Sequence, residues 1–173
     1  MNAIEIKNLC KSYKNFKIDN LNLTLPGGYI MGLVGENGAG KSTTIKLILN
    51  MVHKDSGTIT VLGRDNCDNF ELTKEDIGVV LDEVGFSSFF TAKDIDKIMS
   101  HTYKNWSSEQ FYAYLERLTL PTDKKFKELS RGMKMKLGIA VALSHDAKLL
   151  ILDEATSGLD PVIRDEVLDI FED

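Results

Sequence analysis

The chain has 173 residues, enough for one domain or slightly more. Hydrophobic residues make up 43% and charged residues 27%, the composition of a soluble globular protein, and a net charge of −5 leaves no basic footprint for nucleic acid. No apolar run approaches the ~18 residues a transmembrane helix needs, the N-terminus lacks a signal peptide's basic and apolar regions, and Cys10 and Cys67 stand without metal-site spacing, as two reduced thiols.

Ile4 to Leu9 alternates and predicts a strand, and Ile18 to Leu25 alternates less regularly and predicts a second. Pro26-Gly27-Gly28 is a turn. The apolar run Tyr29-Ile30-Met31-Gly32-Leu33-Val34 predicts a third strand. It leads into Gly35-Glu36-Asn37-Gly38-Ala39-Gly40-Lys41-Ser42, followed by Thr43. Ile45, Ile48, Leu49 and Val52, at i, i+3, i+4 and i+7, predict a helix to about Asn50. Strand, glycine loop and helix in this order are the context of a phosphate-binding P-loop. The glycines let the backbone turn its N–H groups inward, and the helix N-terminus favours an anion. Lys41 reaches the outer phosphates as a point charge, and the Ser42 hydroxyl can ligate Mg²⁺.

Further on, Asp55-Ser56-Gly57 is expected to turn the chain into Thr58–Leu62, which is apolar on one face. Thr73 with Asp76 predicts the cap of a short helix, and Ile77–Leu81 a buried strand. From 91 to about 129 the pattern becomes helical. Thr91 with Asp94 and Ser107 with Gln110 are capping pairs, ahead of Ile95, Ile98 and Met99 and of Phe111, Leu115 and Leu118. Pro121 is expected to end the second helix. Ser130 begins a long helix through Leu143, with Leu137, Ala140, Val141 and Leu143 on its buried side. Leu149–Leu152 predicts a fully buried parallel strand. Asp160 and Pro161 open a last helix with Val167, Leu168 and Phe171 on its apolar face. The chain stops at Asp173 in mid-helix, so a piece of a longer protein is expected.

Leu149-Leu150-Ile151-Leu152-Asp153-Glu154 is an apolar strand ending in two carboxylates. Open α/β sheets place ligands at the carboxyl ends of their strands, so Asp153 is expected beside Lys41 and Ser42. There it can hold Mg²⁺ through water, with Glu154 placed to orient or deprotonate a water attacking the γ-phosphate. Standing alone, the pair is equally a solvated acidic turn. Leu129-Ser130-Arg131-Gly132-Met133 precedes a helix and can bind an anion, or serve as a plain cap.

The order of Gly35–Ser42, Leu129–Met133, Leu149–Glu154 and Ser157-Gly158-Leu159-Asp160 resembles the nucleotide-binding domain of an ATP-binding cassette (ABC) transporter, over essentially the whole chain. The resemblance implies an α/β P-loop NTPase core with a mostly parallel sheet, an N-terminal antiparallel β subdomain and an inserted helical signature subdomain. The expected division is 1–90 for the nucleotide-binding core and β subdomain, 91–144 for the helical subdomain, and 145–173 for the Walker B strand, the D-loop and the start of a helix. Gly35–Thr43 would be the Walker A loop, Asp153 and Glu154 the end of Walker B, Ser130, Arg131 and Gly132 the signature, and Asp160 part of the D-loop. Tyr13 sits where the family places an aromatic on adenine, although a core or surface tyrosine would look the same. The implied reaction is ATP hydrolysis, with Mg²⁺ held by Ser42, Asp153 and Asp82 and with Glu154 and Lys41 catalytic. The implied partners are a second ABC ATPase subunit, identical or different, whose bound ATP meets Ser130 and Gly132, and a transmembrane permease subunit. The implied place is cytoplasmic, peripheral on the inner face of the cell membrane. Trp106–Phe111 and Arg131–Leu137 look most like the bacterial exporter branch, in the style of bacitracin-resistance ATPases.

Several positions depart from the family pattern. Asp82, followed by Glu83, stands where a glutamine is usual. Arg131 replaces the first signature glycine, Met133 the terminal glutamine, and Ala155 the usual proline. The family's switch histidine would lie beyond Asp173, and His53, His101 and His145 are taken as structural or surface residues. Trp106, Met133 and Met135 are expected to pack, and Lys124–Lys127 to form a solvated basic turn. A soluble non-transport ABC ATPase, or a truncated module that binds ATP without turning it over, are the alternatives.

Overall fold

A computed structural model describes residues 1–68, 70–81 and 84–153, the side chain of Leu72 excepted. The chain divides into two units, Met1–Lys74 and Glu75–Asp173.

In the first unit, β1 (Asn2–Tyr13) and β2 (Phe16–Pro26) form a hairpin across Lys14-Asn15, with Tyr13 opposite Phe16 as its closing pair. β1 also pairs antiparallel with β3 (Ser56–Val61), and β3 with β4 (Arg64–Asp65), in the order β2-β1-β3-β4. Ile4 and Ile6 face the core at even positions, and Leu9, fully buried, faces it at an odd one. A bulge reconciles them. The register slips between Ile6 and Leu9, and Asn8 takes a left-handed φ of 50°. Gly57, at φ 88°, lies so close that a Cβ there would run into the Asn8 carbonyl oxygen. The strand predicted from Thr58, after a turn at Asp55–Gly57, begins two residues early. Ser56 and Gly57 already belong to β3, and Ile59 and Val61 bury completely beside β1.

Helix α1 (Lys41–Ile48) buries Ile45, Leu47 and Ile48, and Asn50, at φ 52°, follows its last turn. The run Tyr29–Val34 does not form the predicted strand. Ile30 is 95% and Val34 97% exposed, and the run joins no ladder among the described residues. Apolar character alone does not make a strand, which needs a neighbour to take its N–H and C=O groups. The predicted cap at Thr73 also fails. Thr73 lies inside α2 (Phe70–Lys74) with its hydroxyl buried and without a hydrogen-bond partner among the described residues. Asp76 lies past the helix and accepts instead from Lys148 Nζ at 2.8 Å.

In the second unit, β5 (Ile77–Val80) and β6 (Leu149–Leu152) pair in parallel. α5 (Arg131–Leu143) lies against β5. Gly78 permits this, since a Cβ there would meet the Ala142 carbonyl oxygen at 2.6 Å and Leu150 Cδ2 at 2.5 Å. α5 is buried on two sides. Met135, Ile139 and Ala142 pack with Val80, while Leu137 and Ala140 join Ile95, Phe111, Leu115, Leu118 and Phe126 of the helical core. Val141 and Leu143 are only half-buried, Val141 packing against the helical core and Leu143 against both clusters. Even Lys136 is buried, its Nζ reaching the Leu118 carbonyl at 3.3 Å. β6 alternates rather than burying fully. Leu149 and Ile151 are buried, Leu150 and Leu152 half-buried, as in a described ladder of only two strands.

The helical core is built from α3 (Ala92–Thr102), α4 (Ser108–Arg117) and α5. Thr91 and Asp94 form the predicted capping box, and the bonds from Thr91 hold the Asp94 carboxyl below its usual range. Ser107 caps α4 through the Gln110 N–H at 3.2 Å. Pro121 does not end α4. The helix closes at Arg117, where Thr119, at φ 55°, and Leu120 donate back to Glu116 and Leu115 in a Schellman motif. Trp106 packs on Phe111 and donates to Asp96 at 2.8 Å, and Met133 and Met135 pack as predicted. Phe126, by contrast, is a core residue inside the predicted basic turn.

Candidate functional site

α3, α4 and α5 each begin on a hydroxyl that caps them, whereas α1 begins on Gly40, which has no side chain to occupy its first-turn amides. That first turn also carries no acid. The end of α1 is thus left to an external anion. Gly38 (φ 85°) and Gly40 (φ 99°) take left-handed conformations that carry the chain from Gly35 into the helix, and a turn closes between the Ala39 N–H and the Glu36 carbonyl at 3.1 Å. Lys41 is the first helical residue. Its ammonium folds back over the loop and donates to the Gly35 carbonyl at 2.7 Å and the Glu36 carbonyl at 3.0 Å. The cation therefore sits where the loop's own backbone polarity holds it. Ser42 and Thr43 are half-buried in the same turn, and Thr44 hydrogen-bonds back to Gly40 through both its N–H and its hydroxyl.

Tyr13 is 47% exposed, neither core nor lone surface tyrosine. Lys11 Nζ lies 5.3 Å from its ring centroid and is held by Asp55 at 2.9 Å. The Lys11 ammonium and the Ser12 N–H together hold the Asp55 carboxyl below its usual range. Across the hairpin, Phe16 lies 6.5 Å from Tyr13, ring to ring, and its edge rests against Gly40. Phe16, Lys11 and Asp55 are residues that sequence reasoning missed. The signal for Phe16 was local: a two-residue hairpin turn after Tyr13 makes it the cross-strand partner.

In the second unit, Leu129 is buried and anchors the start of α5, while Ser130 and Arg131 are exposed and Gly132 half-buried. Ser130 Oγ accepts from the Met133 N–H at 3.2 Å. Asp153 is buried at the carboxyl end of β6, where its N–H continues the ladder to the Val80 carbonyl at 2.9 Å. Asp82, Glu83, Glu154, Ala155 and the segment through Asp160 lie outside the described residues, as do Pro161, Val167, Leu168 and Phe171. His145 is buried and stacks on Tyr103 (centroids 4.1 Å apart, planes at 9°), with Nδ1 3.2 Å from the Glu75 carbonyl. Burial pushes its pKa down and that of Tyr103 up. His53 and His101 are exposed.

A glycine loop feeding an uncapped helix with a lysine in its first turn, in a chain that also carries an antiparallel sheet and a parallel strand pair, defines an α/β protein of the P-loop class. The ABC transporter family model matches residues 18–157, and the chain belongs to this family, as its motifs predict. It is 36% identical over 168 residues to the bacitracin transport ATP-binding protein BcrA of Enterococcus faecalis, covering 95% of this chain and 54% of that protein. It is 39% identical over 172 residues to the lantibiotic transport ATP-binding protein SrtF of Streptococcus pyogenes, covering 98% and 73%. It is 39% identical over 168 residues to the Nod factor export ATP-binding protein I of Sinorhizobium fredii, covering 94% and 49%. The chain thus spans between 49% and 73% of the length of these three relatives. A solved structure of an ATP binding subunit of an ABC transporter matches with a TM-score of 0.86 at 25% identity, over 98% of this chain and 73% of that one.

Proposed function

We propose that the chain is the ATP-binding and ATP-hydrolysing part of a bacterial ABC transporter, of the exporter branch, working from the cytoplasmic face of the membrane against a transmembrane permease subunit. The observation that carries this is the end of α1: glycine at the cap, no acid in the first turn, and the Lys41 ammonium held over the loop. The names of the relatives, which speak of bacitracin, lantibiotic and Nod factor transport, support the exporter branch.

In this reading the amides of Gly35–Thr43 surround the β- and γ-phosphates, and Lys41 exchanges two carbonyl partners for phosphate oxygens. The adenine stacks on Tyr13. The Ser42 hydroxyl and the carboxylates of Asp153 and Asp82 are hard oxygen donors, the type Mg²⁺ takes. The ion, when bound, supplies charge neutralisation between phosphate oxygens. Glu154 orients the attacking water and accepts its proton. Ser130, Arg131 and Gly132 stand at a second helix start, fitted to the phosphate held by a second ATPase subunit, and Asp160 belongs to the D-loop. Residues 1–90, 91–144 and 145–173 then serve as nucleotide-binding core, signature lobe and carrier of the hydrolytic carboxylate. Glu154→Gln tests the assignment. Calorimetry should find Mg²⁺·ATP binding retained while phosphate release falls at least about 100-fold; normal turnover refutes the role of Glu154, and absence of ATP binding to the unaltered protein refutes the whole reading.

A further inference from the structure

We propose that Phe16 is a positioning residue that joins the base platform at Tyr13 to the phosphate loop, so that ordering one orders the other. This rests on the nucleotide-binding reading above. Tyr13 and Phe16 are cross-strand partners at the end of one hairpin, which puts their side chains on one face, with centroids 6.5 Å apart and planes at 31°. Phe16 reaches on to Gly40. A Cβ built on Gly40 would meet Phe16 Cζ at 2.5 Å and the two Cε atoms at 3.3 and 3.4 Å. The ring tip therefore occupies the direction in which any other residue at 40 would carry its side chain. Gly40 is also the cap of α1 and the neighbour of Lys41, so the ring buttresses the backbone that presents the amides. The hairpin end is fixed from behind, since Lys11 lies over Tyr13 while Asp55 binds both Lys11 Nζ and the Ser12 N–H. A base resting on Tyr13 thus bears on a clamped strand end whose other ring holds the loop in its phosphate-receiving shape.

The test uses the whole chain and two probes, Mg²⁺·ATP and Mg²⁺·tripolyphosphate, which lacks base and sugar. Affinities are measured by calorimetry, tripolyphosphate also by competition with ATP, alongside melting temperatures. Tyr13→Ala should weaken ATP alone. Phe16→Ala should weaken tripolyphosphate about tenfold, the scale of one lost ring contact, and ATP by a larger factor, because the link to the base is lost as well; an equal factor for both probes means that Phe16 only buttresses the loop and overturns the coupling. Phe16→Leu fills the hairpin but stops short of Gly40, and should weaken tripolyphosphate at an unchanged melting temperature, which separates positioning from folding. If Phe16→Ala or Phe16→Leu loses affinity for ATP alone, Phe16 is a wall of the base site and the coupling is overturned; unchanged tripolyphosphate affinity in Phe16→Leu overturns it equally. Lys41→Ala is the control: if it binds both probes as tightly as the unaltered protein, the nucleotide-binding reading fails instead.

Discussion

Lys41→Ala isolates the charge at the mouth of the loop. In the structure the ammonium makes two hydrogen bonds, at 2.7 and 3.0 Å, both to carbonyls of exposed residues. Water replaces those bonds in the variant, and alanine is a better helix former than lysine, so stability should change by less than about 1 kcal/mol. Binding is different. In the proposed reading, phosphate oxygens in the loop meet a cation whose removal leaves only amides and the helix end, and a hydrogen bond to a charged group is worth roughly 1.5–3 kcal/mol. At 1.4 kcal/mol per decade that is about a 10- to 150-fold rise in Kd for Mg²⁺·ATP. Titration calorimetry reads the affinity, and a urea midpoint on the same sample reads the stability. Affinity within about twofold of the unaltered protein, with fold intact, would refute the argument that this lysine meets phosphate.

Three further outcomes follow from the geometry. Burial lowers the pKa of His145, so below about pH 6.5 the unfolded chain binds the proton more readily and stability falls with pH; His145→Gln should flatten that fall between pH 7 and 5, read as urea midpoints against pH. Ser130→Ala removes the cap from α5 and should cost about 1 kcal/mol in the same assay, a loss that Ser130→Asp, another capping residue, should not show. Thr73→Val replaces a buried hydroxyl without a partner among the described residues by a methyl of similar shape and should raise stability by about 1 kcal/mol, whereas a drop in midpoint would mean that the hydroxyl is satisfied in solution.

What was legible along the chain was whatever a few neighbouring residues decide. Thr91, Ser107 and Ser130 start helices where their hydroxyls reach the N–H three residues on, a relation contained within one turn. The first two strands, β1 and β2, were visible as alternation, although the bulge at Asn8 was not. Nothing in Lys7-Asn8-Leu9 says that Gly57 will come close enough to accept it. The misses have one form. Tyr29–Val34 has the composition of a strand, but pairing is decided elsewhere in the chain. Thr73 and Asp76 have cap spacing, but the helix begins three residues earlier at Phe70 and the acid goes to a lysine at 148. Pro121 is a helix breaker that arrives after Thr119 has already ended the helix.

The site divides along the same line. Gly38, Gly40 and Lys41 act through their own backbone or through carbonyls five and six residues away, so the loop's chemistry is contained in eight consecutive residues. Phe16 acts through Gly40, across 24 positions of sequence, and is silent as a motif because a phenylalanine after a hairpin turn is ordinary. A signature of glycines and a lysine therefore announces that phosphate can be held, but not how firmly the loop is shaped beforehand. That depends on a ring contact which any apolar residue of the right length could supply. Two chains with the same eight-residue loop should then differ in phosphate affinity according to what stands opposite Tyr13 in the hairpin.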